Sequence, residues 1–462
     1  MKLQTRKRIF YVFILLFVVI GIVVVLYAEG WRINLSTLEA EKAGGIYVRS
    51  YPNNAQITLN GKPVQNQSAF LSPGTFISGL FPKTYTLALS ATGYDAWTEN
   101  APVTPSLVTE MKYAVLVPKM ATNVATNTAA VAGYFEANGD AVITSANASA
   151  TITWLGKIIG YGAVVSHSTD LRTAIIRTVS ARTGATAYSL YDFTAATSTA
   201  STNLSTLLAQ WGIKSTPSTN VFVDPYDDTN IIAQTPAQIV GIDSDTHRAI
   251  AIDTAPAGET IESPIAVSAS VMAWARYTAG TSTASNTSAT GTSQIIVYDK
   301  FSGDTTDDSL VINGSIRQLA WVRNNVLGIL ASDNTLYLYN VPNEQLTTLA
   351  DDVKQFYPTA DGSTVAALEY HSLEVFAFNG LPDYYRFDLP DVADVQGLMW
   401  YKDDTHLFVQ YPDHVAFLDL ADTAIKNLTI VSLGTGPSYD PQENSLYLID
   451  TGQKLIRFDF PQ

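Results

Sequence analysis

Cysteine is absent from this 462-residue chain. There can be no disulfide, thiolate zinc site, iron–sulfur cluster or cysteine nucleophile, and the fold must rest on core packing alone. Histidine is scarce: His167, His247, His371, His406 and His414 lie scattered, without metal-ligand spacing, and read as surface or turn residues. Neither a His-Glu-x-x-His pair nor a Gly-x-Ser-x-Gly elbow occurs, and there is no phosphate loop or Asp-x-Gly-x-Thr-Trp box. Positive charge is also limited, with 27 Lys and Arg against 42 Asp and Glu and a net charge of -15. A chain this acidic lacks the basic footprint of a nucleic-acid-binding protein. The sequence therefore nominates no catalytic, cofactor-binding or metal-ligating residue, and no cofactor.

What is present begins with one long apolar run. Ile9 to Ala28 carries no charge, and its 20 residues at about 1.5 Å each match the roughly 30 Å hydrocarbon core of a bilayer. Lys2, Arg6, Lys7 and Arg8 precede it, so the positive-inside rule places residues 1–8 in the cytoplasm and everything after Glu29 outside. The competing reading is a cleaved signal peptide, but its apolar core would be shorter, and Val25-Leu26-Tyr27-Ala28 offers no small-x-small cleavage site. Trp31 fits the aromatic belt of the outer interface. Setting the four cytoplasmic cations apart leaves -19 on the exported part, which favours solubility and repels anionic head groups. An exported chain without cysteine suits a bacterial or archaeal surface better than a eukaryotic secretory route.

Residues 29–43 read as a juxtamembrane linker and 44–117 as one small β-domain. Ile46 and Val48 alternate with polar residues, Pro52-Asn53-Asn54 makes a turn, and Ile57 and Leu59 lead into Asn60-Gly61. Asn-Gly is the strongest short hairpin signal, because both turn positions need positive φ. A strand over Tyr85–Ser90 and a last one near Thr109–Leu116 complete a β-sandwich. Ser50, Pro52, Ala55, Asn60, Gly61, Gly79, Leu80, Pro82, Tyr85, Gly93 and Tyr94 together resemble the PEGA domain family over about 70 residues. Asn53 and Asn54 stand where the eponymous motif has an acidic residue and glycine, and Lys83 replaces the usual glycine before the tyrosine. The resemblance implies an envelope- or surface-layer-associated module with a stalk or adhesion role. By turn chemistry alone, Gly61, Gly79 and Tyr85 are simply turn and core residues.

After a linker at 118–128, a unit of three apolar strands and two turns recurs through 129–462, with a period of about 40 residues. It is clearest in IRQLAWVRNNVLGILASDNTLYLYN, ending at Asn340, and in VKQFYPTADGSTVAALEYHSLEVFAFN, ending at Asn379. Two further units contain Asp419 and Asp459, while strands ending at Asp192, Asp243 and Asp299 mark earlier ones. Such short strands cannot bury both faces within one unit, so radial packing into a β-propeller is expected. Eight units can be counted, but the first, from Val131, could instead supply a strand that closes the ring, giving seven. YPTADGSTVAAL and YDPQENSLYLI resemble TolB-like, WD40-like propeller repeats, and only Asp361-Gly362 keeps the usual turn pair. The fold class is thus all-β: a transmembrane helix over 9–28, a PEGA-like sandwich and a seven- or eight-bladed propeller.

Two insertions interrupt the repeat. In 194–220, Leu204, Leu207, Leu208 and Trp211 are at helical spacing, which predicts a short amphipathic helix that either caps its own propeller or docks a partner. The second, 277–293, is a low-complexity Ser/Thr/Ala tract expected to form a loop. Asn147, Asn203 and Asn286 begin Asn-x-Ser/Thr sequons of the kind that arise by chance in such a chain. The acidic groups Asp224/Asp227/Asp228, Asp243/Asp245, Asp307/Asp308 and Asp403/Asp404 lack calcium-loop spacing and are expected on solvated turns. The reading that results is a non-enzymatic, membrane-anchored surface protein whose propeller binds an envelope protein or polysaccharide. Its alternative is an extracellular carbohydrate-active enzyme with two carboxylates facing across the propeller channel. Inward signalling is the weakest reading, because the cytoplasmic tip holds only about eight residues.

Overall fold

The computed structural model describes residues 3–34, 39–68, 73–124, 131–137, 140–145, 150–168, 172–180, 182–193, 200–280, 291–323, 325–378, 383–420 and 428–462. Apart from two α-helices and two short 3-10 turns, its regular structure is β throughout. Helix α1 (Leu3–Ala28) begins earlier than the apolar run, because Gln, Arg and Lys are good helix formers. Its stretch Phe10–Ala28 is long and apolar enough to cross a membrane and is unburied. The expected linker after it holds a hairpin instead, β1 (Trp31–Asn34) paired antiparallel with β2 (Glu39–Lys42).

Seven strands then form the sandwich: β3 (Gly44–Tyr51), β4 (Gln56–Leu59), β5 (Lys62–Val64), β6 (Thr75–Leu80), β7 (Lys83–Ser90), β8 (Trp97–Val103) and β9 (Val108–Val115). One sheet runs β6–β3–β9 and the other β5–β4–β7–β8. Their inner faces meet through Ile46, Val48, Ile57, Leu87, Leu89 and Ala101, all buried. Asn60 and Gly61 have φ of 48° and 73°, as the hairpin signal requires. Gly79 is not in a turn. It is the extra residue of a bulge in β6, since Gly44 pairs with Leu80 and Gly45 with Ser78, and its φ of 75° accounts for the glycine.

Past the sandwich, residues 131–161, 163–203, 220–254, 259–313, 316–350 and 353–387 each carry one four-stranded antiparallel sheet. The remaining strands form one continuous sheet. In it the 13-residue strand Leu428–Asp440 pairs through its first part with His414–Asp419, and through its second with Ser445–Asp450. It thus ends one four-stranded meander and begins the next. The last place in that next meander is taken by β10 (Thr122–Asn123), which pairs with Ile456 and Arg457. Ring closure is therefore supplied from the expected linker, and the unit at Val131 forms a sheet of its own.

The second strand of each unit reads as an unbroken apolar run because successive side chains enter different cores. Ile231 and Ala233 pack with Ile175 and Tyr188, whereas Ile232 packs with Trp274 and Ile296. Leu407 and Val409 likewise face Ala366 and Leu368, and Phe408 faces Leu446 and Phe460. Each sheet is buried on both faces, which is the packing that makes a propeller.

Helix α2 (Leu204–Gln210) is shorter than the expected insertion. Asn203 caps it, its Oδ1 accepting from Thr206 N at 3.2 Å, so this sequon asparagine has a structural task. Leu204 and Leu208 are buried against Tyr188 and Val221, so that face seats on the propeller itself. Residues 194–199 of the first insertion and 281–290 of the second lie outside the described residues, as do Asn147 and Asn286. Strands run through Thr278 and resume at Thr292.

Candidate functional site

First strands of neighbouring sheets lie side by side around much of the ring, and the free edge of such a strand leaves backbone N–H and C=O groups that need partners. Around much of the ring, side chains of a neighbouring sheet supply them. Ser166 Oγ accepts from Val223 N at 3.0 Å, and Glu262 Oε2 accepts from Ile316 N at 2.9 Å. Gln318 both donates to Phe356 O (2.6 Å) and accepts from Phe356 N (3.1 Å). Trp321 Nε1 donates to Ala266 O and Trp400 Nε1 to Tyr357 O, at 3.3 and 2.9 Å. Burial pushes the Glu262 carboxyl up, against the pull of its bonds from Ile316 N and Ser293 Oγ.

Between the first two sheets this lacing gives way to an open cavity of about 1050 Å³. Ala132, Gly133, Ala150 and Ala163 leave part of this space where larger side chains would have filled it, whereas a Cβ on Gly162 would run into the Arg177 backbone carbonyl. Ser145, Ser166, Thr178 and Ser438 add hydroxyls, and Tyr161 stands exposed at the wall. Tyr134 also lines it, its hydroxyl donating to Gly436 O at 3.3 Å across the ring closure, and burial raises that phenol far above its ordinary value. His167 and Arg177 are the basic residues of the lining, and no Asp or Glu lines it among the described residues. Arg177 donates to Pro217 O, towards a smaller cavity of about 160 Å³ on the other side of its sheet. Ser145 Oγ donates to Thr151 O, Ser166 Oγ accepts from Val223 N and His167 Nδ1 lies 3.0 Å from Ser168 O, so much of this polar lining is already bonded within the protein.

A second centre joins the sandwich to the propeller, and the sequence reading missed it. His406, expected on a surface or turn, is fully buried at the start of the strand His406–Gln410. Its Nδ1 lies 2.8 Å from Asp403 Oδ2 and its Nε2 3.6 Å from Asp419 Oδ1. Asp419 in turn accepts from Trp97 Nε1 of the sandwich at 3.0 Å. The imidazole stacks on Phe417, with ring centres 4.9 Å apart, and meets the Tyr401 edge. Burial alone would lower its pKa, but the bonds and charges of Asp403 and Asp419 outweigh that and raise it to about 9. That shift favours the protonated ring, which lies between the Asp403 and Asp419 carboxyls. Around it, Val115 and Val117 of the sandwich side share one core with Tyr401, Phe408, Phe417 and Phe460. The available signal was faint: a histidine opening the buried run His406-Leu407-Phe408-Val409, followed by a strand-ending aspartate.

The acidic residues expected on solvated turns divide. Asp243 and Asp299 each close a strand and bind their own backbone, Asp243 Oδ1 accepting from Asp245 N and Thr246 N, and Asp299 Oδ1 from Phe301 N and Ser302 N. Those bonds hold both carboxyls below the usual range. Asp224 departs from the solvated turn expected of it. It is fully buried, 2.6 Å from Lys300 Nζ of another sheet. Asp403 departs too, through His406, and burial together with Asp361 and Asp403 pushes Asp404 up to about 6. The side chains of Asp307 and Asp308 lie outside the described residues. Nothing brings the acidic groups into one metal cage among the described residues.

No protein-family profile matches the chain. No curated protein matches it either. Among solved structures it is similar to an oligogalacturonate lyase in complex with manganese (11% identity, 65% of this chain and 90% of that one, TM-score 0.46). It is also similar to an oligogalacturonate lyase from Vibrio parahaemolyticus (11% identity, 71% and 97%, TM-score 0.45) and to Porphyromonas gingivalis dipeptidyl peptidase 4 (12% identity, 69% and 56%, TM-score 0.47). At such identities and scores the propeller is read from the chain's own sheets.

Proposed function

We propose that this is a non-enzymatic, membrane-anchored surface protein that holds an eight-bladed propeller outside the cell for binding an envelope protein or polysaccharide. The observation that carries the reading is the series of contacts that leads from the apolar helix to the propeller. The α1 end passes directly into a hairpin, the hairpin into β3, and the sandwich is keyed to the propeller by Trp97 and Asp419. Such a path suits a presenting stalk. The basic cluster before α1 supports an N-in, C-out orientation, and the turn and core residues of the sandwich support a PEGA-like module. The cavity between the first two blades is the favoured ligand site.

Co-sedimentation of the detergent-solubilised full chain with cell-wall material from its host tests this. Binding that survives removal of wall-attached proteins is expected for a polysaccharide ligand, and binding lost on their removal for a protein ligand. Absence of binding to either would overturn the adhesion reading and send the cavity to screening on released glycans.

A further inference from the structure

A run of hydrogen bonds ties the end of α1 to one end of the sandwich. Arg32 Nη1 donates to Tyr27 O at 2.8 Å with its guanidinium 3.6 Å over the Tyr27 ring, satisfying a carbonyl of the last helical turn. Ala43 N donates to Gly30 O at 2.8 Å, Ser106 N to Ala43 O at 3.1 Å, and Gly45 N to Leu107 O at 3.0 Å. Neighbouring strands lie about 4.8 Å apart, so the turn at 104–107 sits within roughly 10 Å of Gly30. Gly30 is only two residues beyond the apolar span.

Apolar side chains are left uncovered at this end. Ile33 is 68% exposed and Leu107 60%, with Val108 beside it. Cross-strand register puts Trp31 and Ile33 on one hairpin face with Ala40 and Lys42. Arg32 and Lys42 face a comparable number of acids in Glu29, Glu39 and Glu41, so this end carries no strong charge of either sign. The head-group layer on each side of a bilayer is about 5–8 Å thick, which Trp31 and Ile33 next to the span would meet first and Leu107 and Val108 at its outer margin.

We propose that Trp31 and Ile33 of the hairpin, with Leu107 and Val108 of the turn, form a foot that inserts into the head-group layer of the outer leaflet. The partner is the zwitterionic phospholipid surface, and the foot holds the sandwich directly on the bilayer. This rests on α1 being a retained anchor, and its position beside the span is what identifies lipid as the occupant.

The cysteine-free chain gives a clean test. Single variants Ile33→Cys, Leu107→Cys, Val18→Cys in the span and Phe301→Cys in the exposed propeller are labelled with an environment-sensitive dye. The full chain is placed in phosphatidylcholine vesicles containing lipids with a head-group-level quencher, or with a quencher in the acyl chain. Labels at positions 33 and 107 are expected to be quenched several-fold more than that at 301 by the head-group quencher, while the label at 18 responds to the acyl-chain quencher. If 18 responds but 33 and 107 behave like 301, the foot is wrong and the anchor stands. Labels at 33 and 107 shielded from both water and lipid quencher would mean a protein covers them, which also overturns the foot. A label at 18 reached by neither lipid quencher would remove the anchor itself.

Discussion

Where the sandwich meets the propeller, five rings and a buried imidazolium fill the space. Between the first two sheets, alanine, glycine and serine leave about 1050 Å³ open. Both places are built from the same repeated meander. The difference lies in side-chain volume: Tyr401, Phe408, Phe417, Tyr439 and Phe460 converge at the first, while Ala132, Gly133, Gly162 and Ala163 line the second. One repeat thus makes a fastening at one position, where β10 completes the last sheet, and leaves an open space at another.

Breaking the fastening should cost most. His406→Ala leaves Asp403 and Asp419 facing each other without their cation, and we expect a loss of about 3–5 kcal/mol in unfolding of the full chain in detergent. A loss under about 1 kcal/mol would show that the imidazolium is incidental. The same network predicts a pH dependence. Because the folded pKa of His406 is raised, its contribution is complete below about 6.5 and fades as pH rises through about 9. The melting temperature should therefore fall across that window, and His406→Gln should flatten the fall. Trp97→Phe keeps a ring but removes the bond to Asp419, and about 1.5–3 kcal/mol should go, with faster protease nicking near residues 118–123 as the sandwich loosens.

Two glycines sharpen the contrast on a smaller scale. A Cβ on Gly328 would lie 2.6 Å from the Phe356 ring, so Gly328→Ala should destabilise by about 1–3 kcal/mol. A Cβ on Gly133, at the cavity, meets nothing within 4 Å, and Gly133→Ala should stabilise by roughly 0.4–1 kcal/mol by restricting the unfolded chain. Equal effects in calorimetry would contradict the picture of one packed and one open wall.

The inner strands were legible because each drives a double-sided core. The clearest repeat ending at Asn340 matches the strands Ile316–Arg323, Val326–Ala331 and Leu336–Asn340. The outermost strands were not: Gln345–Ala350 is mostly exposed, and nothing in its alternation separates it from a loop. In the sandwich, β8 hid behind Glu99 and Asn100, although Glu99 is buried with its carboxylate accepting from Asn100 N. The two-residue strand β10 is below any periodic signal. The His406 centre needs residues 97, 403, 406 and 419 at once, and such convergence is written in the fold rather than in spacing.

Consider finally what β10 means for a chain made from one end. Thr122 finds its partner only when Arg457 has arrived, and Trp97 must likewise wait for Asp419. Loops of that length close slowly, since the entropy of bringing their ends together comes before any contact rewards it. The sandwich, whose strands pair within residues 44–115, can settle early, but the ring cannot close until the strand Leu455–Asp459 meets β10. Closure of the ring is therefore a late event in folding, set by contacts between residues far apart in sequence.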